Sequence, residues 1–157
     1  MHAHAAAASI QLEHATSATA TRVPAAAFAY MADVTRFSEW DPGVQRVTRV
    51  AGDGKSVGSA YDLAFKTIGT TMMRYVVTQY DAPRRVLLTA RTGLLTSVDE
   101  IRVVAAGAGA VVTYDAVLTL RGPLRVFDPL LARAFRRIGD RAAAGLRRAL
   151  QSPEAAR

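Results

Sequence analysis

An α+β domain is predicted for this chain of 157 residues on three observations. Apolar and polar residues alternate through a run of short segments separated by Gly, Pro and Asp turns, which is the period of half-buried strands. A strong helix-forming stretch follows the first of these segments. After Gly122-Pro123 the apolar spacing changes to three and four residues and stays so to about Leu150. That order describes an antiparallel sheet with one face to cover and a long helix to cover it.

The first strand is expected over about Leu12 to Val23, where Thr16, Thr19 and Thr21 supply β-branched residues. Pro24 fits the first position of a helix, and Ala25 to Ala32 continue it with Phe28, Met31 and Ala32 on one face. Asp33 can end that helix or cap a second short one over Val34 to Glu39. Trp40-Asp41-Pro42-Gly43 is then a turn carrying an aromatic anchor. Further strands are expected at Val44–Val50, Ser59–Lys66, Thr71–Tyr80, Val86–Thr92, Ser97–Ala105 and Val111–Leu120, for a sheet of six or seven strands. In the last of them Val112, Tyr114, Ala116 and Leu118 share a parity, and Thr113, Asp115 and Thr119 share the other.

Leu124, Phe127, Leu131, Phe135, Ile138, Ala142, Leu146 and Leu150 trace one stripe of the final helix. Pro129 either kinks that helix or marks its start, because proline is tolerated only in the first turn. Residues 1–11 are expected to be a flexible segment, 12–150 a single domain and 151–157 a tail.

Composition excludes several function classes. Half the residues are apolar and 21% are charged, so the chain is not intrinsically disordered. With no cysteine there is no disulfide scaffold, thiolate metal site or cysteine nucleophile. Residues Met1 to Ala8 lack the basic and Leu-rich regions of a secretory signal, and no apolar run approaches the roughly 18 residues of a membrane span. A cytoplasmic location is therefore expected. His14 is the one histidine beyond His2 and His4, which sit on the N-terminal tip without a third ligand. Neither a metal nor a cofactor is expected, since the sequence holds no metal-ligand spacing, P-loop or dinucleotide fingerprint. Gly107-Ala108-Gly109-Ala110 joins two strands and reads as a hairpin turn.

Pro24, Phe28-Ala29-Tyr30, Asp33, Trp40-Asp41-Pro42-Gly43, Asp81-Ala82-Pro83-Arg84-Arg85, the turn at Gly107 to Gly109 and Leu120-Arg121-Gly122-Pro123 occur in a characteristic order. In this the chain resembles the polyketide cyclase/dehydrase and lipid-transport family of the SRPBCC, or START-like helix-grip, superfamily, from about Leu12 to Leu150. The resemblance implies a strongly curved antiparallel sheet gripping the C-terminal helix, with an apolar cavity between them. Small residues on the helix face, Ala134, Ala142, Gly145 and Ala149, either leave room for a ligand or let helix and sheet approach closely.

The expected occupant is an apolar, lipid-like or polyketide-like small molecule, and the alternative is an aromatase/cyclase-type enzyme acting in the same cavity. Tyr61, Phe65 and Tyr114 lie on the apolar parity of their strands, and a buried tyrosine needs a partner for its hydroxyl. Tyr75 lies in the strand that also offers one inward thioether, from Met72 or Met73; Met73 is taken as the lining residue. Trp40 either lines the cavity mouth or anchors the short helices. Phe127 and Phe135 are the helix's aromatic contributions. Strand parity with Ile101 and Val103 directs Asp99 inward, although a place beside solvent at the strand start is the competing reading. Arg91 is positioned to pair with it from a neighbouring strand. Asp99, Tyr114 and Arg91 are thus the candidates for moving a proton, while Glu100 and Arg102 are expected at the surface.

The net charge of +7 is concentrated late in the chain: residues 121–157 hold nine arginines and three acids. Arg133, Arg136, Arg137, Arg141, Arg147 and Arg148 lie opposite the apolar stripe, as on the solvated back of a sheet-covering helix. No aromatic residue interleaves with them, so nucleic acid is not an expected partner. Weak contact with an anionic membrane surface is the other use such a face allows. Oligomeric state is not legible.

Overall fold

The computed structural model describes residues 10–67, 69–123 and 128–152; the His2/His4 tip, Phe127 and the tail beyond Ser152 lie outside them. Seven strands form one antiparallel sheet in the spatial order β1-β7-β6-β5-β4-β3-β2. They are β1 (Ile10–Ala20), β2 (Val44–Ala51), β3 (Ala60–Thr67), β4 (Gly69–Asp81), β5 (Arg85–Arg91), β6 (Leu95–Ala106) and β7 (Gly109–Leu120). Between the edge strands β1 and β2 the chain runs through α1 (Pro24–Ala32), a 3-10 turn (Val34–Arg36) and α2 (Phe37–Trp40). The long helix α3 spans Asp128–Gln151, with Pro129 in its first turn, where no backbone hydrogen bond is lost.

Each local device has a visible cause. Pro24 starts α1. Asp33 both ends α1 and caps the following turn, its Oδ1 accepting from the Thr35 amide at 3.2 Å. Gly107 and Ala108 make the β6–β7 hairpin, whose register pairs Ala106 with Gly109. At the sheet's far edge, β2 departs from simple alternation. Val44 is buried and Val47 half-buried, because the β2–β3 register shifts between Val44 and Arg46 and again between Arg49 and Ala51. Such bulges bend a strand and increase its twist, which helps the sheet to curl.

The concave face carries Leu63, Val77, Leu88, Ile101 and Val112 into one core with Phe28, Met31, Val34 and Trp40 of the short helices. The convex face is polar. There Arg74 holds Asp62 through two hydrogen bonds of 2.7 and 2.8 Å, and Arg85–Glu100 and Arg102–Asp115 pair across neighbouring strands. Glu100 is half-buried beneath that network and Arg102 is exposed.

Helix α3 is asymmetric along its length. Its second half is packed: Ala142, Ala143, Leu146 and Leu150 are buried against β1 and α2. A Cβ added at Gly145 would come within 1.8 Å of the Trp40 carbonyl oxygen, so the backbones of α3 and α2 are in contact there. Close approach is thus what Ala142 and Gly145 serve, and Ala134 is exposed. In the first half Leu131 and Phe135 are half-buried, Leu130 is 69% exposed and Ile138 is 43% exposed.

Candidate functional site

A polar cluster lies buried in the concave face of the sheet. Tyr114 on β7 donates its hydroxyl to Asp99 Oδ2 at 2.7 Å, and Ser97 donates to Asp99 Oδ1 at 2.9 Å. All three side chains belong to buried residues of β6 and β7. Ser97 and Asp99 are two residues apart on one strand and therefore share a face. The diagonal offset on β7 follows from the register, which sets Tyr114 opposite Ile101, two residues beyond Asp99.

Burial dominates the electrostatics of this cluster. It pushes the Asp99 carboxyl up to about 6, against the opposing pull of the two hydroxyl donors. Burial raises Tyr114 and Tyr75 well above the ordinary phenol range, and the Asp99 carboxylate adds to both. A second buried carboxylate, Asp41, follows Trp40. Desolvation raises its pKa, while its hydrogen bond from the Gly43 amide, 2.8 Å long, pulls it down. Asp41 in turn disfavours ionisation of Asp99.

Aromatic residues wall the cluster. Trp40 meets Tyr114 edge to face with ring centroids 5.3 Å apart, and Phe37 packs on Trp40 at 4.9 Å. Trp40 is 2% exposed, and its indole N–H is buried without a hydrogen-bond partner among the described residues. On β3 and β4, Tyr61 faces Tyr75 in register, both buried, and the Phe65 ring lies 6.2 Å from that of Tyr75. Met73 is the inward thioether of its pair: it packs on the core half-buried, whereas Met72 is 50% exposed. Phe65, Met73 and Phe135 are all half-buried.

Two expectations need correction. Arg91 does not pair with Asp99: it is exposed at the end of β5 opposite Thr96, while the residue opposite Asp99 is Leu88. Nor does Asp99 sit beside solvent. It is the fifth residue of β6, far enough from the strand end to be 6% exposed. Sequence reasoning passed over Ser97 and Asp41. Parity with Asp99 could have found Ser97, but Asp41 looked like an ordinary turn residue, and its burial is decided by the tertiary packing around that turn.

A separate cavity of about 820 Å3 opens between α1, the 3-10 turn, the β2–β3 turn and the β4–β5 turn. Arg22, Arg36, Arg49 and Lys55 contribute cationic groups to its wall. Tyr61 is the one ligand-lining candidate named from the sequence that reaches it. No group of three or more His, Cys, Asp or Glu side chains suited to a metal occurs among the described residues. No helix among them is long and apolar enough to cross a membrane.

A seven-stranded sheet wrapped on a long C-terminal helix, with a hydrogen-bonded carboxyl buried in its concave face, defines a helix-grip protein of the START-like class. The chain belongs to the family described as polyketide cyclase / dehydrase and lipid transport, whose model matches residues 11–151. Solved structures of the same fold include the di-domain ARO/CYC StfQ from the steffimycin biosynthetic pathway, at 14% identity and a TM-score of 0.69. That match covers 90% of this chain and 50% of that one, so this chain spans half of the di-domain protein. The protein TTHA0849 from Thermus thermophilus matches with a TM-score of 0.69 at 13% identity, over 88% of this chain and 96% of that one. A START superfamily protein from Mycobacterium smegmatis matches with a TM-score of 0.68 at 12% identity, over 87% and 94%. At these identities the likeness is one of fold. Among curated protein sequences nothing matches significantly.

Proposed function

We propose that the protein binds an apolar, lipid-like or polyketide-like small molecule between the concave face of the sheet and the first half of α3. The observation that carries this reading is the buried Asp99–Tyr114–Ser97 cluster, together with the half-burial of Phe65 and Met73 on the sheet and of Leu131 and Phe135 on the first half of α3. Apolar side chains left half-exposed beside a few convergent polar groups are the usual make-up of a small-molecule site. The family description and the fold support the same class of ligand. Ligand oxygens would find hydroxyls, the Asp99 carboxyl and the free Trp40 indole N–H at the deep end, and the apolar body would cover the rim. Native mass spectrometry of the full chain against a panel of fatty acids, sterols and polyphenols tests this. One-to-one complexes that weaken in Phe135→Ala are expected. A panel that leaves no stoichiometric complex would overturn it.

A second reading is favoured by one specific observation, the Asp99 pKa of about 6. A carboxyl that exchanges its proton near neutrality, hydrogen-bonded to a phenol, is fit for general acid–base work on a carbonyl-bearing ligand. In an aromatase/cyclase-type reaction the cavity would hold the reactive chain in one folded geometry, and the Asp99–Tyr114 pair would move protons. Asp99→Asn separates the two: turnover lost with binding retained marks an enzyme, and binding without turnover in the wild type marks a carrier. The six α3 arginines from Arg133 to Arg148 are all exposed, and weak electrostatic contact with anionic membranes is proposed as their use in collecting an apolar ligand.

A further inference from the structure

Arg22 lies at the junction of β1 and α1 and is 7% exposed. Its guanidinium carbon sits 4.6 Å from the centroid of the Tyr30 ring, and its Nε and Nη2 are buried without a hydrogen-bond partner among the described residues. Removing a guanidinium from water without giving it an acceptor is expensive, and a ring face recovers only part of that. Elsewhere the same chain shows what this edge of an arginine is suited to. Arg74 uses its Nε and Nη2 to clasp both oxygens of Asp62, and Arg84 does the same with Asp81 at 3.2 and 3.1 Å. On Arg22 the equivalent fork has no such acceptor.

Arg22 forms part of the wall of the cavity of about 820 Å3, together with Arg36, Arg49 and Lys55. The acids nearby are engaged by other groups. Glu39 accepts from the Tyr30 hydroxyl at 3.0 Å and pairs with Arg36 at 3.7 Å. Asp33 accepts from Thr35 and pairs with Arg36 at 3.5 Å. Asp53 accepts from the Lys55 amide and the Ser56 hydroxyl. The rest of the wall is apolar: Val23, Ala26, Phe28 and Ala29 on the side of α1, and Tyr80 and Pro83 on the side of the sheet.

We propose that this cavity is a second binding site, which takes an amphipathic anion, a carboxylate or phosphate head on an apolar body. The head pairs with the Arg22 guanidinium, whose covered Nε and Nη2 turn into the cavity to give the two parallel hydrogen bonds for which a guanidinium is built. The body lies along the alanines of α1. Arg49, near the end of β2, and Lys55, on the turn that follows, add positive potential at the mouth. Nothing in this site depends on a ligand beneath α3, and the two sites share only Tyr61.

The test is titration of the full chain with decanoate, decyl phosphate, decanol and inorganic phosphate, followed by calorimetry and by NMR of the arginine Nε–H signals. Decanoate or decyl phosphate is expected to bind one to one and shift the Arg22 Nε–H, and the stronger of the two identifies the head group. Decanol is expected to bind at least tenfold more weakly. Arg22→Met should weaken the anion at least tenfold, while Arg74→Gln, on the convex face, leaves it unchanged. If Arg22→Met does not fold, the shift of the wild-type Arg22 signal decides alone. Equal affinity for decanol and decanoate, an unmoved Arg22 signal at saturation, or inorganic phosphate binding as tightly as the amphiphiles would overturn the proposal. So would a decanoate affinity lost through Phe135→Ala and retained in Arg22→Met, because that places the anion beneath α3.

Discussion

The hydroxyl of Tyr114 lies 2.7 Å from Asp99 Oδ2, in a part of the sheet that both residues enter from neighbouring strands and where each is almost wholly buried. The bond joins two groups of the concave face that burial pushes upward, a carboxyl at about 6 and a phenol well above its norm.

Tyr114→Phe removes that donor and leaves the Asp99 carboxylate with Ser97 alone. Because the hydroxyl favours the charged form, its loss should raise the Asp99 pKa further, read by carboxyl 13C NMR titration. Leaving a buried acceptor short of a partner should also lower stability by roughly 1–2 kcal/mol at pH 7. A downward move of the pKa would contradict the assignment of Tyr114 as donor.

The pH dependence of stability follows from the sign of the Asp99 shift. The folded carboxyl holds its proton up to about 6, whereas the unfolded one releases it near 4, so the folded state binds more protons between those values. Stability is therefore greatest below about pH 4 for this group, falls as pH rises towards 6, and is flat above. The decline amounts to something on the order of 3 kcal/mol. Asp99→Asn should remove it, so that the variant gains on the wild type between pH 4 and pH 7 in denaturant titrations. Asp41, raised by burial, adds a decline of the same sign that remains in the variant.

Gly145→Ala should be strongly destabilising. Its Cβ would stand 1.8 Å from the Trp40 carbonyl oxygen, and a backbone atom has little freedom to retreat. Forcing α3 away from α2 should cost about 3 kcal/mol, at the upper end for overpacking, measured as a fall in Tm. Gly93, with nothing within 4 Å of an added Cβ, provides the mild control.

Phe135→Ala and Met73→Ala should separate binding from folding. Both side chains are half-buried, so truncation should cost little stability, and a ligand covering them should lose about 1–1.5 kcal/mol each, or roughly tenfold in Kd. Calorimetry with any ligand found in the mass-spectrometric panel measures this. Unchanged affinity in both variants would remove the rim from the site.

Binding to anionic vesicles through the α3 arginines should be weak at 0.15 M salt and absent near 1 M, where the screening length shrinks to about 3 Å. Co-sedimentation at the two salt concentrations reads this directly.

Periodicity carried most of the fold. Strand parity gave the inward positions of Tyr61, Asp99 and Tyr114, and the change to a helical period at Gly122 marked α3, because these patterns are written along the chain itself. The bulges in β2 were not legible. Val44, Arg46, Thr48 and Val50 alternate as though they shared one face, and only pairing with β3 displaces them. Pairing likewise decided that Asp99 meets Tyr114 and Ser97, and not Arg91, since parity gives the face of a side chain but not which residues lie opposite it.

What the sequence by itself determined is therefore the element order, the antiparallel sheet with its long covering helix, the apolar and charged faces of that helix and the inward set of the sheet. Only the tertiary structure decided where α3 is tight and where it stands open, that the turn residue Asp41 is buried, and that Arg22 ends inside a cavity wall with its fork unpaired among the described residues. Each of these depends on which backbone comes to lie against which, as Gly145 does on Trp40, and such contacts between distant segments leave no periodic trace in the chain.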